Sequence, residues 1–318
     1  MKTTLAALLL ACAFSSLSAH ADLGILPKLN PTDLASRLKQ FDYSAISKSE
    51  FVKEIKDTEK LQISEMRLNY VLPESGKSRS FRYDVYKATN GAARRPAIVL
   101  FPPLQGLSPF DTGFARAFAK AGFVVFISQV SHGIEEFSRI EPLMQEFVDA
   151  TIDNRILFDE IQRRDDVIVD NLNIFGISLG AIRASMFYGV EPRIKKATLI
   201  VGGGNLPSII VNSMVDTVVA LREKFFSNYN ISNLDDLENL LRKQLLWDPI
   251  YSAENRLGGQ NCMMIVGEKD DKVPSIRQYE LVSSLKCSTV KYINKNHVPT
   301  ATATFLNKSP IIKFFLKP

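Results

Sequence analysis

The sequence predicts an α/β protein built on a mostly parallel central sheet with helices on both faces. Two observations carry that expectation. From Pro96 onward, short apolar runs alternate with stretches of helical periodicity: Ile98 to Phe101, Phe123 to Ile127, Leu172 to Ile177, Ala197 to Val201, Met263 to Val266 and Val290 to Ile293. These runs are apolar throughout, the pattern of strands covered on both faces and not of strands with one wet face. The other is a serine set between two glycines where one of these runs passes into a helical pattern, at Gly176, Ser178 and Gly180.

Residues 1–21 read as a cleavable leader. Lys2 supplies a positive start, Leu5 to Phe14 a short apolar stretch, and Ala19-His20-Ala21 a small-x-small cleavage site. The mature chain is then expected to begin at Asp22 and to reach the periplasm or the cell exterior. A lipoprotein signal ending in Leu10-Ala11-Cys12 is the competing reading. An uncleaved anchor is not supported, since about ten apolar residues fall short of the roughly 20 that a bilayer requires, and no transmembrane segment is expected in the mature chain.

Residues 22–61 are polar, with apolar side chains at Leu34, Leu38, Phe41, Ile46 and Phe51, and predict a helical extension on the surface of the domain. The domain proper is expected over 62–318. It opens with strands at 62–71 and 80–88, joined through Pro73, Ser75 and Gly76 as an antiparallel pair. The first crossover helix is marked by Ser108 as N-cap, Pro109 at the first helical position, Phe110, Phe114, Phe118 and Ala121 on one face, and Gly122 at its stop. A second helix carries Ile140, Leu143, Met144, Phe147, Val148, Ile152 and Ile156 at helical spacing. Before the penultimate strand lies a helical insertion over 206–258, longer than an ordinary crossover. Ile210, Met214 and Val218 suggest one apolar stripe there, and Leu237, Leu240, Leu241 and Leu245 another. The segment is either a lid over a pocket or an enlarged pair of crossover helices.

Composition narrows the function. With 318 residues, 46% hydrophobic and 23% charged, the chain can bury a large core, which excludes disorder as its main state. The net charge of +5 comes from 39 basic and 34 acidic residues spread along the chain without a block of like charge, so nucleic acid is not an expected partner. No P-loop, no G-x-G-x-x-G after a strand and no zinc-type histidine or cysteine spacing occurs in the mature chain, and neither metal nor organic cofactor is expected. Cys262 and Cys287 survive removal of the leader. They precede neighbouring predicted strands by similar distances, which allows them to pair in an oxidising compartment.

Gly176-Ile177-Ser178-Leu179-Gly180 follows an apolar run directly and precedes Ile182, Met186 and Phe187 at helical spacing. A strand that turns at once into a helix holds the serine in a strained backbone, and side chains at the flanking positions would collide, hence the glycines. The helix N-terminus behind Ser178 offers free N–H groups to developing negative charge. A serine hydroxyl is a poor nucleophile until a base removes its proton. The mature chain has two histidines, and His297, after the last predicted strand, is the candidate base; His132, upstream of the serine, reaches the pocket rim at most. The carboxylate that orients the imidazole is expected in the turn Gly267-Glu268-Lys269-Asp270-Asp271-Lys272-Val273-Pro274, where Asp270 and Asp271 compete.

Taken together, Gly176, Ser178 and Gly180, the G-x-x-D-x-x-V-P turn of Gly267, Asp270, Val273 and Pro274, and His297 make the chain resemble the α/β-hydrolase superfamily over roughly residues 62–318. The resemblance implies the α/β-hydrolase fold and the chain order serine, acid, histidine, with Asp270 as the acid. It further implies an oxyanion hole of two backbone N–H groups, one from Leu179 and one from the loop after the first parallel strand. There Pro102 and Pro103 stand where many relatives carry a His-Gly pair. Prolines cannot donate, so Leu104, and next Gln105, is the expected second donor. The activity implied is hydrolysis of a carboxylic ester, or a related acyl bond in a small-molecule substrate, through a Ser-His-Asp triad. A peptidase or thioesterase of the same fold, and a binding protein that keeps the fold without activity, are the alternatives.

Overall fold

The computed structural model describes residues 24, 26–73, 76–104, 106–129, 133–256 and 261–317. The expected leader, Gln105 and His132 lie outside the described residues. An N-terminal antiparallel meander of β1 (Ile46–Thr58), β2 (Leu61–Leu72) and β3 (Lys77–Lys87) leads into β4 (Arg95–Phe101), β5 (Val124–Gln129), β6 (Val167–Ile177), β7 (Ile194–Ile200), β8 (Cys262–Gly267) and β9 (Thr289–Ile293). They form one 9-stranded sheet in the order β1-β2-β3-β5-β4-β6-β7-β8-β9. β3 pairs antiparallel with β5, and β4 to β9 run parallel. The apolar runs of the sequence are these parallel strands, as expected.

Side chains that alternate along the strands feed a core on each face. On one side Phe114 and Phe118 of α2 (Pro109–Lys120) meet Phe175 of β6. Phe305 of α10 (His297–Leu306) and Phe315 of α11 (Ser309–Leu316) complete that layer. On the other side α3 (Ile140–Gln162), α4 (Leu179–Val190) and α9 (Ser275–Leu285) bury Leu157, Phe158, Phe187 and Leu281 against Val99, Ile174 and Leu199. Ser108 caps α2 through the Asp111 backbone N–H, and the Asp111 carboxylate accepts from the Ser108 N–H at 2.8 Å, the reciprocal arrangement that satisfies two orphan donors.

The N-terminal extension differs from expectation. Only α1 (Pro31–Leu38) and a 3-10 turn at Lys39–Phe41 are helical, whereas residues 46–58 are a strand continuous with the sheet. Ile46, Phe51 and Ile55 are 72%, 62% and 47% exposed, so the apolar spacing there does not mark a buried helix face. What holds the segment is its backbone ladder to β2, from Ile46 opposite Val71 to Thr58 opposite Leu61. Register shifts and the lysines at 48, 53 and 56 break up this outer edge, a common protection against pairing with other chains.

The insertion folds as α5 (Leu206–Asn212), α6 (Asp216–Tyr229), α7 (Leu234–Gln244) and α8 (Pro249–Asn255). Ile210, Met214 and Val218 do not share one helix, because the chain leaves helical geometry after Asn212 and Met214 is 61% exposed. The insertion is anchored at both ends. Asp248 accepts from the N–H groups of Asn205 at 2.9 Å, Leu206 at 2.7 Å and Ile250 at 2.9 Å. The buried Trp247 donates its indole N–H to Ser252 at 2.6 Å and packs edge-on against Phe41. Cys262 and Cys287 form a disulfide with Cα atoms 4.7 Å apart, joining the start of β8 to the approach to β9.

Candidate active site

The sheet order reverses at β4, which lies between β5 and β6, so the loops leaving β4 and β6 diverge and open a crevice at the carboxyl ends of the strands. Ser178 sits there, between β6 and α4. Its backbone is left-handed, with φ 58 and ψ −125, a conformation that a residue with a Cβ adopts only when the surroundings hold it. Ser178 N–H donates to Ile200 O at 2.9 Å, which ties the turn to β7. A Cβ at position 176 would stand 2.4 Å from Gly180 O, and one at 180 would stand 2.0 Å from Phe101 O. The two glycines therefore let the first turn of α4 lie directly on the end of β4.

That close contact brings the loop after β4 to the serine. Leu104, Ser178 and Leu179 line one cleft. Leu179 is the first residue of α4, where a backbone N–H has no carbonyl one turn earlier to bond. Pro102 and Pro103 have no N–H, and Gly106 N–H is taken by Pro103 O at 3.0 Å.

From the other side, the loop after β9 delivers His297 as the first residue of α10. Its Nε2 lies 2.8 Å from Ser178 Oγ and its Nδ1 lies 2.7 Å from Asp270 Oδ2. A carboxylate only accepts, so Asp270 selects the tautomer with the proton on Nδ1 and leaves the Nε2 lone pair facing the serine hydroxyl. Asp270 is 6% exposed and His297 7%. Asp271 is exposed and its carbonyl accepts from Met214 N–H at 3.2 Å. Of the two adjacent aspartates, the structure therefore joins Asp270 to the histidine.

The remaining acceptor positions of Asp270 are filled by the turn that carries it. Oδ1 accepts from the N–H groups of Lys272 at 2.9 Å and Val273 at 3.1 Å, so the turn folds around its own carboxylate. A further partner is not suggested by any motif: Gln278 of α9 donates through Nε2 to Asp270 Oδ2 at 2.7 Å and to Val273 O at 2.8 Å. Its Oε1 accepts from Gly267 N–H at 3.1 Å. Gln278 is wholly buried and clamps the end of β8, Asp270 and the turn into one unit.

The cleft that opens from Ser178 has a cavity volume of about 60 Å³. Ile182 of α4, Leu143 and Phe147 of α3, and Ile209, Ile210 and Val218 of the insertion contribute to its walls. The sequence marks Leu143 with Phe147, and Ile210 with Val218, as apolar stripes, but not as one lining, because these walls come from three separate segments.

The sequence matches no family model and no curated relative. Among solved structures, an acetyl xylan esterase from Thermoanaerobacterium sp. superposes with TM-score 0.69 at 14% identity, covering 89% of this chain and 94% of that one. An acetyl xylan esterase from Paenibacillus sp. follows at TM-score 0.64 and 13% identity, covering 89% and 92%. An alpha/beta hydrolase from Penicillium sp. gives TM-score 0.53 at 12% identity, covering 79% and 97%. The chain has the α/β-hydrolase fold, as the ordered motifs of its sequence led us to expect.

The Gln278 clamp makes a prediction of its own. Gln278→Leu keeps the side chain's approximate volume but leaves a buried N–H and a carbonyl without partners, at a cost of about 1–3 kcal/mol. Urea unfolding should show the loss in its midpoint with little change in slope; an unaltered midpoint would mean that the clamp carries no stability.

Proposed function

We propose that the protein is a serine hydrolase that cleaves a carboxylic ester through an acyl-enzyme, with Ser178 as nucleophile, His297 as base and Asp270 as the carboxylate that orients it. The observation that carries this reading is the unbroken chain of hydrogen bonds from Asp270 through His297 to Ser178, at 2.7 Å and 2.8 Å, at the head of an apolar cleft. The esterases that share the fold are in keeping with it.

Ser178 Oγ attacks the ester carbonyl as its proton passes to His297 Nε2. The carbonyl oxygen becomes an oxyanion, held by the N–H groups of Leu179 and Leu104. The tetrahedral adduct collapses, the C–O bond to the alcohol breaks, and His297 returns the proton to the departing oxygen. Water then takes the place of the alcohol: His297 accepts one of its protons, the hydroxyl adds to the acyl carbon, and the carboxylic acid leaves as Ser178 regains its proton. Asp270 orients the ring and stabilises the imidazolium formed at each step.

Two proposals about the whole chain accompany this one. The α/β unit begins with the sheet, and the insertion over 206–258 belongs to the substrate cleft. Export by a leader over 1–21 is supported by the leader pattern and by the Cys262–Cys287 disulfide, which suits an oxidising compartment. Protein recovered from its native host should begin at Asp22 and titrate with no free thiol. Retained Met1, a lipid on Cys12 or two free thiols would contradict export by this route.

A fluorophosphonate probe tests the site itself, since it labels activated serines rapidly. Wild type should be labelled and Ser178→Ala should not. Asp270→Asn should lower kcat by about 10³- to 10⁴-fold through loss of the productive tautomer, while Asp271→Asn stays near wild type. The reverse ranking of the two aspartates would overturn the assignment of the acid.

A further inference from the structure

The direction in which the cleft leaves Ser178 distinguishes the two halves of an ester. We infer that the cleft is an acyl-chain site, and that the preferred substrates are esters of unbranched aliphatic acids several carbons long, not acetyl esters. This deepens the reading of Ser178 as an ester hydrolase and rests on it.

The alcohol half must depart beside His297 Nε2, which protonates it. The acyl half points away from the histidine, past the oxyanion donors. The lining of the cleft follows that second direction: among the described residues it takes in Leu104, Leu179 and Ile182 and excludes His297. It then runs between Phe147 of α3 and Ile210 and Val218 of the insertion, all buried.

Its chemistry suits a hydrocarbon. Among the described residues, the polar side chains lining it beyond Ser178 are Ser213 and Lys272. The Ser213 hydroxyl is already engaged, donating to Lys272 O at 2.6 Å and accepting from Val215 N–H at 3.3 Å. A sugar would exchange most of its hydration for apolar walls there, whereas each methylene gains by leaving water. An acetyl group has a single methyl with which to cover that apolar lining.

Rates on p-nitrophenyl esters from acetyl through butanoyl and hexanoyl to octanoyl test the inference. kcat/KM should rise by up to about fourfold per added methylene until the cleft is full, the equivalent of ~0.8 kcal/mol for each buried CH₂. Val218→Trp, on the insertion wall, and Ile210→Trp should each fill the far part of the cleft. The ratio of hexanoyl to acetyl kcat/KM is expected to fall at least about tenfold in both. Circular dichroism and thermal melting identify any variant that fails to fold, and the wild-type series stands without them. Fluorophosphonate labelling with a best rate on the acetyl ester overturns the acyl-chain site alone, as does an unchanged ratio in both folded variants. No labelling and no hydrolysis of any ester overturns the hydrolase reading and the acyl-chain site with it.

Discussion

The left-handed backbone of Ser178 is the constraint around which the rest of this molecule is arranged. A serine at φ 58 carries a local cost of the order of 1–3 kcal/mol, and the conformation persists only because the packing around it admits no other. Gly176 and Gly180 are one part of that packing, since a side chain at either would overlap backbone of the same turn or of β4. The hydrogen bond from Ser178 N–H to β7 is another. The strain has a use. It lifts the hydroxyl clear of the sheet while the N-terminal end of α4 stays behind it, so the hydroxyl and the backbone N–H groups of that end face the same space.

The partners of Ser178 are held by separate devices, and none depends on a long flexible loop. Asp270 is fixed by two N–H groups of its own turn and by Gln278, and this leaves the carboxylate little freedom except toward His297. His297 opens α10, whose far end packs through Phe305 against Phe114 of α2. The insertion is held by Asp248 at its junction with the domain and by Trp247 against Phe41 of the N-terminal segment.

What was legible in the sequence follows from which residues report on burial. The strands β4 to β9 stand out because burial on both faces demands apolar residues at consecutive positions, and Ser178 and His297 stand out because their chemistry restricts the residue types. β1 was not legible: an edge strand is held by backbone bonds, and Phe51 and Ile55 point to solvent. Choosing between Asp270 and Asp271 needed the direction of adjacent side chains, which spacing alone does not supply. Gln278 was hidden for a different reason. Its role lies in three hydrogen bonds made across a turn, and a buried glutamine on a helix has no characteristic neighbourhood in the sequence.

The central claim is that Ser178 becomes covalently acylated, and it is open to direct observation. The protein would be mixed with excess p-nitrophenyl hexanoate, quenched in acid within the first minutes, digested, and its peptides weighed. The account predicts a hexanoyl mass increment on the peptide containing Ser178 and its absence from Ser178→Ala treated in the same way. An increment on another residue, or turnover of the ester with no acylated peptide at any quench time, would contradict it.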